Sequence, residues 1–164
     1  MRVIPSRIAA TIAIALLPLI ALLSVAASAQ STLSGVYKGN GKPAALTQVT
    51  AHKGDPESGQ PVTVLVFTTK DQAKDPKAGF NALFGKFGDA LVVKVFPDGK
   101  IYSIDLIHSK LDSPSGSIQV FGVGTMKDFT MAGGEISGHL TSGGAKNVRD
   151  QTWEVDLIFK TKAP

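Results

Sequence analysis

The chain reads as all-β: one antiparallel barrel or sandwich of about eight strands with one short helix, preceded by an N-terminal signal peptide. Three observations predict this. Short segments of alternating polarity recur along the chain, with Gly, Pro, Asp and Ser between them. The opening residues carry a basic start, an apolar run and a small-residue end. A single apolar stripe, at Phe80, Leu83, Phe84 and Phe87, has helical rather than strand spacing.

Residues 1–29 are expected to be the signal peptide. Arg2 and Arg7 are their only charges, Ile8–Ala27 is uncharged, and Ala27-Ser28-Ala29 places small residues where a signal peptidase needs them. Cleavage is expected between Ala29 and Gln30, leaving residues 30–164 as one all-β domain in the periplasm or the medium. A membrane role is expected only for the leader before cleavage. No cysteine follows the apolar run, so there is no thiol for a lipid anchor, and no disulfide can stabilise the domain. Its stability must come from apolar burial.

Cleavage also changes the charge. Losing Arg2 and Arg7 takes 17 basic side chains to 15 against 13 acidic ones, so the net charge falls from +4 to +2. The remaining lysines are scattered singly. A nucleic-acid surface shows a clustered basic face, so nucleic-acid binding is not expected.

The extended segments run Thr32–Lys38, Ala45–His52, Val62–Thr69, Ala90–Phe96, Lys100–His108, Ser117–Val123, Glu135–Thr141 and Thr152–Thr161. Asp98-Gly99 predicts a two-residue hairpin turn, because Gly tolerates the positive φ that a type I′ turn requires. That turn pairs Phe96 with Ile101, Val95 with Tyr102, Val93 with Ile104 and Leu91 with Leu106. The last three pairs share an apolar face, and Lys94, Ser103, Val92 and Asp105 take the other. In the last segment Trp153, Val155, Leu157 and Phe159 alternate with Glu154, Asp156, Ile158 and Lys160, a half-buried strand. Ile136, Gly138 and Leu140 mark the inner face of Glu135–Thr141. Val62–Thr69 is apolar on both faces, which predicts a central strand covered on both sides or a contact site. Short connections predict that neighbouring strands pair in chain order.

Phe80–Phe87 is expected to form two helical turns between the third and fourth segments, with Gly88 ending it. Phe80, Leu83, Phe84 and Phe87 would either plug an open end of the sheet or form a contact for a ligand or partner.

Chemistry is sparsely signalled. There is no G-x-S-x-G elbow, S-x-x-K motif or EF-hand loop in the chain after the leader, and the glycine pairs precede strands or polar loops rather than phosphate-binding helices. No catalytic residue is assigned and no cofactor is expected. His52, His108 and His139 each fall near the end of a predicted strand. With a carboxylate such as Asp105 or Glu154 they could ligate zinc or copper on one rim, although separations of 56 and 31 residues say nothing about proximity. His108 continues the inward face of Tyr102, Ile104 and Leu106, which predicts a semi-buried, hydrogen-bonded ring. The expected function is non-enzymatic binding of a small apolar ligand or a protein partner. The alternative is a metal-dependent or hydrolytic enzyme using the strand-end histidines.

Overall fold

A computed structural model describes residues 31–164; the expected signal peptide lies outside the described residues. The described chain is all-β with one short helix, in the order β1 (Thr32–Gly39), β2 (Lys42–Ala44), β3 (Gln48–Glu57), β4 (Gln60–Thr68), α1 (Ala78–Leu83), β5 (Ala90–Val95), β6 (Ile101–Ile107), β7 (Ile118–Val120), β8 (Thr125–Ala132), β9 (Glu135–Thr141), β10 (Lys146–Val148) and β11 (Gln151–Lys162).

Of the expected barrel or sandwich, the closed barrel is not formed: the strands make two antiparallel sheets. One has the order β2-β1-β11-β9-β8, with β10 also on β11; the other runs β3-β4-β5-β6-β7. The second sheet follows chain order, as neighbouring pairing predicts. The first does not, because β1 pairs with β11 along its whole length, from Thr32↔Lys160 to Gly39↔Trp153. Such a pairing of distant segments leaves no local sequence signal.

One core fills the space between the sheets. Leu65, Phe67, Leu91, Val93, Ile104 and Leu106 from one sheet meet Tyr37, Ile136, Leu140, Trp153, Leu157 and Phe159 from the other. The predicted inward rows of β9 and β11 are these rows. Phe67 and Phe159 meet edge to face across the core at 5.3 Å, a favourable aromatic geometry. The sheets are tied on one side where Thr161 Oγ1 donates to the Val49 carbonyl at 3.1 Å.

Three strands were not expected: β2, β8 and β10. The hairpin turns that create β2 and β10 are Asn40-Gly41 (φ 48° and 71°) and Arg149-Asp150 (φ 47° and 59°). The second pair has no glycine, so composition does not reveal it. In β8 the register shifts between Lys127 and Thr130, with Asp128 at φ 51°. This bulge lets Met126 and Phe129, three residues apart, both pack against the core. Simple alternation puts residues three apart on opposite faces, which is why this segment reads as a turn.

The β5–β6 hairpin is right in its body and wrong at its tip. Leu91↔Leu106 and Val93↔Ile104 pair as expected, but Val95 pairs with Ile101 rather than Tyr102. Gly99 N–H donates to the Phe96 carbonyl and Phe96 N–H to the Lys100 carbonyl, both at 2.9 Å. The loop is therefore three residues, Pro97-Asp98-Gly99, with Gly99 at φ 85°. Proline fixes φ near −65°, which suits the first corner of a type I turn; a type I′ turn would force positive φ on Asp98. The extra residue emerges at Tyr102, whose ring leaves the core row and stands between Phe96 and Phe121, at 5.9 and 5.8 Å.

The helix is shorter than expected and turned differently. It spans Ala78–Leu83 and buries Ala78 and Ala82. Of the residues expected either to plug the sheet or to form a contact, Phe80 and Phe84 are 62% and 64% exposed, whereas Phe87 is buried. Ala78 and Ala82 set the orientation, because they are the helix residues packed on the sheet, and Gly79 lies beside them over Val64 and Val66. Small residues permit that approach, and large rings would hold the helix away. Ala78, Ala82 and Phe87 form a second apolar cluster with Val66, Ala90, Val92 and Ile107. Strand β4 is thus covered on both faces, as its composition predicted.

Candidate functional site

The outer face of the β3–β7 sheet carries the groove richest in candidate residues. Its register sets His52 beside Val64, Val64 beside Lys94 and Lys94 beside Ser103, with Asp105 one step along beside Val92. The helix covers one end of this face and leaves a groove of about 360 Å³ beside it, lined by Phe80, Leu83, Val64, Val92, Lys94 and Asp105 and flanked by His52. Phe80 forms the outer bank, and the Phe84 ring packs against it with centroids 5.1 Å apart.

Asp105 was placed on the wet face by alternation, yet it is only 6% exposed. Its one hydrogen bond is a long one, from Gln119 Nε2 at 3.4 Å. Burial pushes its carboxyl above the ordinary range, against smaller opposing pulls from Gln119 and the Lys94 charge. Lys94 is committed elsewhere. It pairs with Glu57, whose carboxyl it holds low, and its ammonium lies 5.8 Å from the Tyr102 ring. His52 Nε2 lies 2.8 Å from Thr50 Oγ1, and burial lowers its pKa against the opposing charge of Asp75. His52 and Asp105 stand on strands three spacings apart, about 14 Å at roughly 4.8 Å per strand, so they share no proton directly.

The helix-bearing loop is held by Asp75. Its carboxylate accepts from Lys86 Nζ at 2.7 Å, Lys77 N–H at 2.9 Å and Asn81 Nδ2 at 2.9 Å. These donors, Lys86 foremost, lower its pKa to about 2. Asp75 thus anchors the segment that presents Phe80 and Phe84.

The sequence-predicted residues separate. Phe80 and Leu83 line the groove and Phe84 joins its bank, while Phe87 sits inside the second apolar cluster. The histidines occupy three different surroundings. His52 flanks the groove. His139 lies on the outer face of the other sheet, with Nε2 2.5 Å from Asp156 Oδ1. His108 is buried, as its place on the inward row suggests, and its ring meets Tyr37 edge to face at 5.1 Å. The Lys110 N–H donates to His108 Nδ1 at 3.0 Å, so the neutral ring keeps its proton on Nε2. Neither His108 Nε2 nor the Tyr37 hydroxyl has a hydrogen-bond partner among the described residues. Burial first, then the Asp89 charge, raises the Tyr37 pKa, with the Ile107 backbone opposing. Among the described residues no group of three or more His, Cys, Asp or Glu side chains is arranged to hold a metal ion, and no helix is long and apolar enough to cross a membrane.

Two other hollows differ from this groove. A wider one of about 600 Å³ beside Asp71, Gln72, Lys74 and Lys86 is open to solvent, and its central acid, Asp75, is already fully engaged. An apolar one of about 310 Å³ among Pro56, Pro61, Val62, Pro97 and Met131 has only Lys53 and Thr63 as polar side chains. Binding sites combine apolar walls with a few polar groups that fix orientation, a description the groove at Asp105 fits better. Sequence reasoning treated Asp105 as a wet-face residue or a metal partner. The available signal was a carboxylate inside the otherwise apolar run Ile104–Ile107. Protein-family models, curated proteins and solved structures yield no match to this chain.

Proposed function

We propose that this protein is an exported, non-enzymatic binding domain on a β-sandwich scaffold, which holds a small ligand with an apolar face in the groove beside α1. One observation carries the reading: Phe80, 62% exposed, lines a groove whose floor contains a nearly buried carboxylate, and Phe84, 64% exposed, packs against Phe80. Burying an exposed phenyl ring is worth about 1.5–3 kcal/mol, so the fold leaves that stabilisation unused at two adjacent positions. A ligand lying across them would recover it. The small residues that hold α1 against the sheet support the same reading, since they keep the rings outside. Export is supported by the basic, apolar and small-residue parts of residues 1–29. The strand-end histidines, which motivated the enzymatic alternative, gain no support from their three separate surroundings.

Native mass spectrometry of the protein purified from its own periplasm or medium tests this. A bound small molecule is expected, and it should be lost in the Phe80→Ser/Phe84→Ser double variant without loss of folding. A stoichiometric metal ion, or a bound protein in place of a small molecule, would overturn the reading.

A further inference from the structure

A carboxylate offers about four acceptor sites, and Asp105 uses one of them, for a long bond from the amide of Gln119. The residue is 94% buried, yet it lines the groove beside Phe80, Leu83 and Val92. The nearest cation on its own face, Lys94, is turned to Glu57. No Asp105 oxygen is both enclosed and unpartnered among the described residues, so the carboxylate opens onto the groove, where a donor from a ligand can reach it.

The charges around it decide which donor. Lys53, Lys77 and Lys94 line the groove together with Asp55 and Asp105, three ammonium groups against two carboxylates. An anionic ligand would have to sit against the Asp105 carboxylate, whose neighbour Lys94 is paired with Glu57. A cationic one would meet Lys53 and Lys77, which have no ion-pair partner among the described residues. A neutral group with several hydroxyls meets neither repulsion and can donate to the Asp105 oxygens, while the ammonium groups on the rim donate to its own oxygens.

We propose that Asp105 is the polar anchor of a site for a neutral, hydroxyl-bearing ligand, whose hydroxyls donate to its carboxylate while an apolar body lies along Leu83 and Phe80. This rests on the groove being the binding site, and the experiment separates the two claims. The purified protein is titrated at neutral pH with octyl β-D-glucoside, octylammonium and octanoate, each below micelle formation, and binding is followed by amide chemical shifts. The probes share an apolar chain and differ in head-group charge.

The glucoside is expected to bind most tightly, with shifts centred on Phe80, Val92, Lys94 and Asp105. Asp105→Asn should weaken it by about tenfold or more, the usual effect of losing hydrogen bonds to a charged group. Phe80→Ser, at an exposed position, should weaken all three probes. Octylammonium or octanoate binding as tightly as the glucoside would overturn the neutral-ligand inference and leave the groove reading intact. So would unchanged glucoside affinity in Asp105→Asn. Shifts that avoid Phe80 and Asp105 for every probe, or no binding at all, would overturn both.

Discussion

Phe80, Phe84 and Phe87 form one stripe in the sequence, and the fold gives them opposite surroundings. Phe87→Ala would remove a buried ring that packs with Val66, Ala78, Val92 and Ile107. Phe-to-Ala changes in cores cost about 3–5 kcal/mol, the lower end where neighbours can relax into the space. This cluster is small and bounded by one short helix, so a loss of about 3 kcal/mol is expected. At roughly 4 °C of Tm per kcal/mol for a domain of this size, melting should fall by about 12 °C. Phe80→Ala and Phe84→Ala remove rings already mostly in water, and their effects should stay within about 0.5 kcal/mol. The molecule carries its own reporter, because its single tryptophan, Trp153, is 1% exposed between the sheets. Urea unfolding followed by Trp153 fluorescence gives the three values directly, and unchanged slopes would show that the denatured state is not involved. The reasoning fails if Phe80→Ala or Phe84→Ala costs as much as Phe87→Ala, since the helix would then be packing its phenylalanines inward.

Two further outcomes follow from the same geometry. A carboxyl raised by burial keeps its proton to higher pH in the folded chain than in the unfolded one, so ionising Asp105 costs stability as pH rises through the carboxylate range and costs nothing in acid. Asp105→Asn should therefore be more stable than the parent at pH 7 and lose that advantage below about pH 3, where both states are protonated; a thermal-melt series over pH that shows the opposite trend would refute the burial argument. Gly99→Ala should cost about 1–2 kcal/mol, because Gly99 sits at φ 85° and a Cβ would meet Phe129 Cβ at 3.0 Å; an unchanged urea midpoint would contradict the three-residue turn.

If Asp105 anchors a ligand, its stability cost is the familiar exchange between a strained or under-satisfied site and the scaffold that holds it. The scaffold here is well suited to that. Asp105 stands on an interior strand between β5 and β7, so its backbone is fixed from both sides. Phe80 stands on a short helix and Phe84 directly after it, in a segment tied down by Asp75 and by the packing of Ala78 and Ala82 on the sheet. A rigid floor and an anchored bank are the arrangement that lets a groove bind without reorganising.

The amino-acid order by itself determined the strand class, the inward rows of β9 and β11, the apolar character of both faces of β4 and the body of the β5–β6 hairpin. Each is a statement about which side chains share a face, and alternation is enough to decide that. It also determined the buried place of His108. What only the tertiary structure decided is where those faces go. The union of β1 with β11, the bulge that turns Met126 and Phe129 inward together, and the choice of Ala78 and Ala82 over Phe80 and Phe84 as the helix's packing face all depend on contacts between segments far apart in the chain. The same holds for the groove. Asp105 lies on the floor of a groove whose bank is a helix from an earlier segment, and no local pattern of polarity records which distant element will stand over a face.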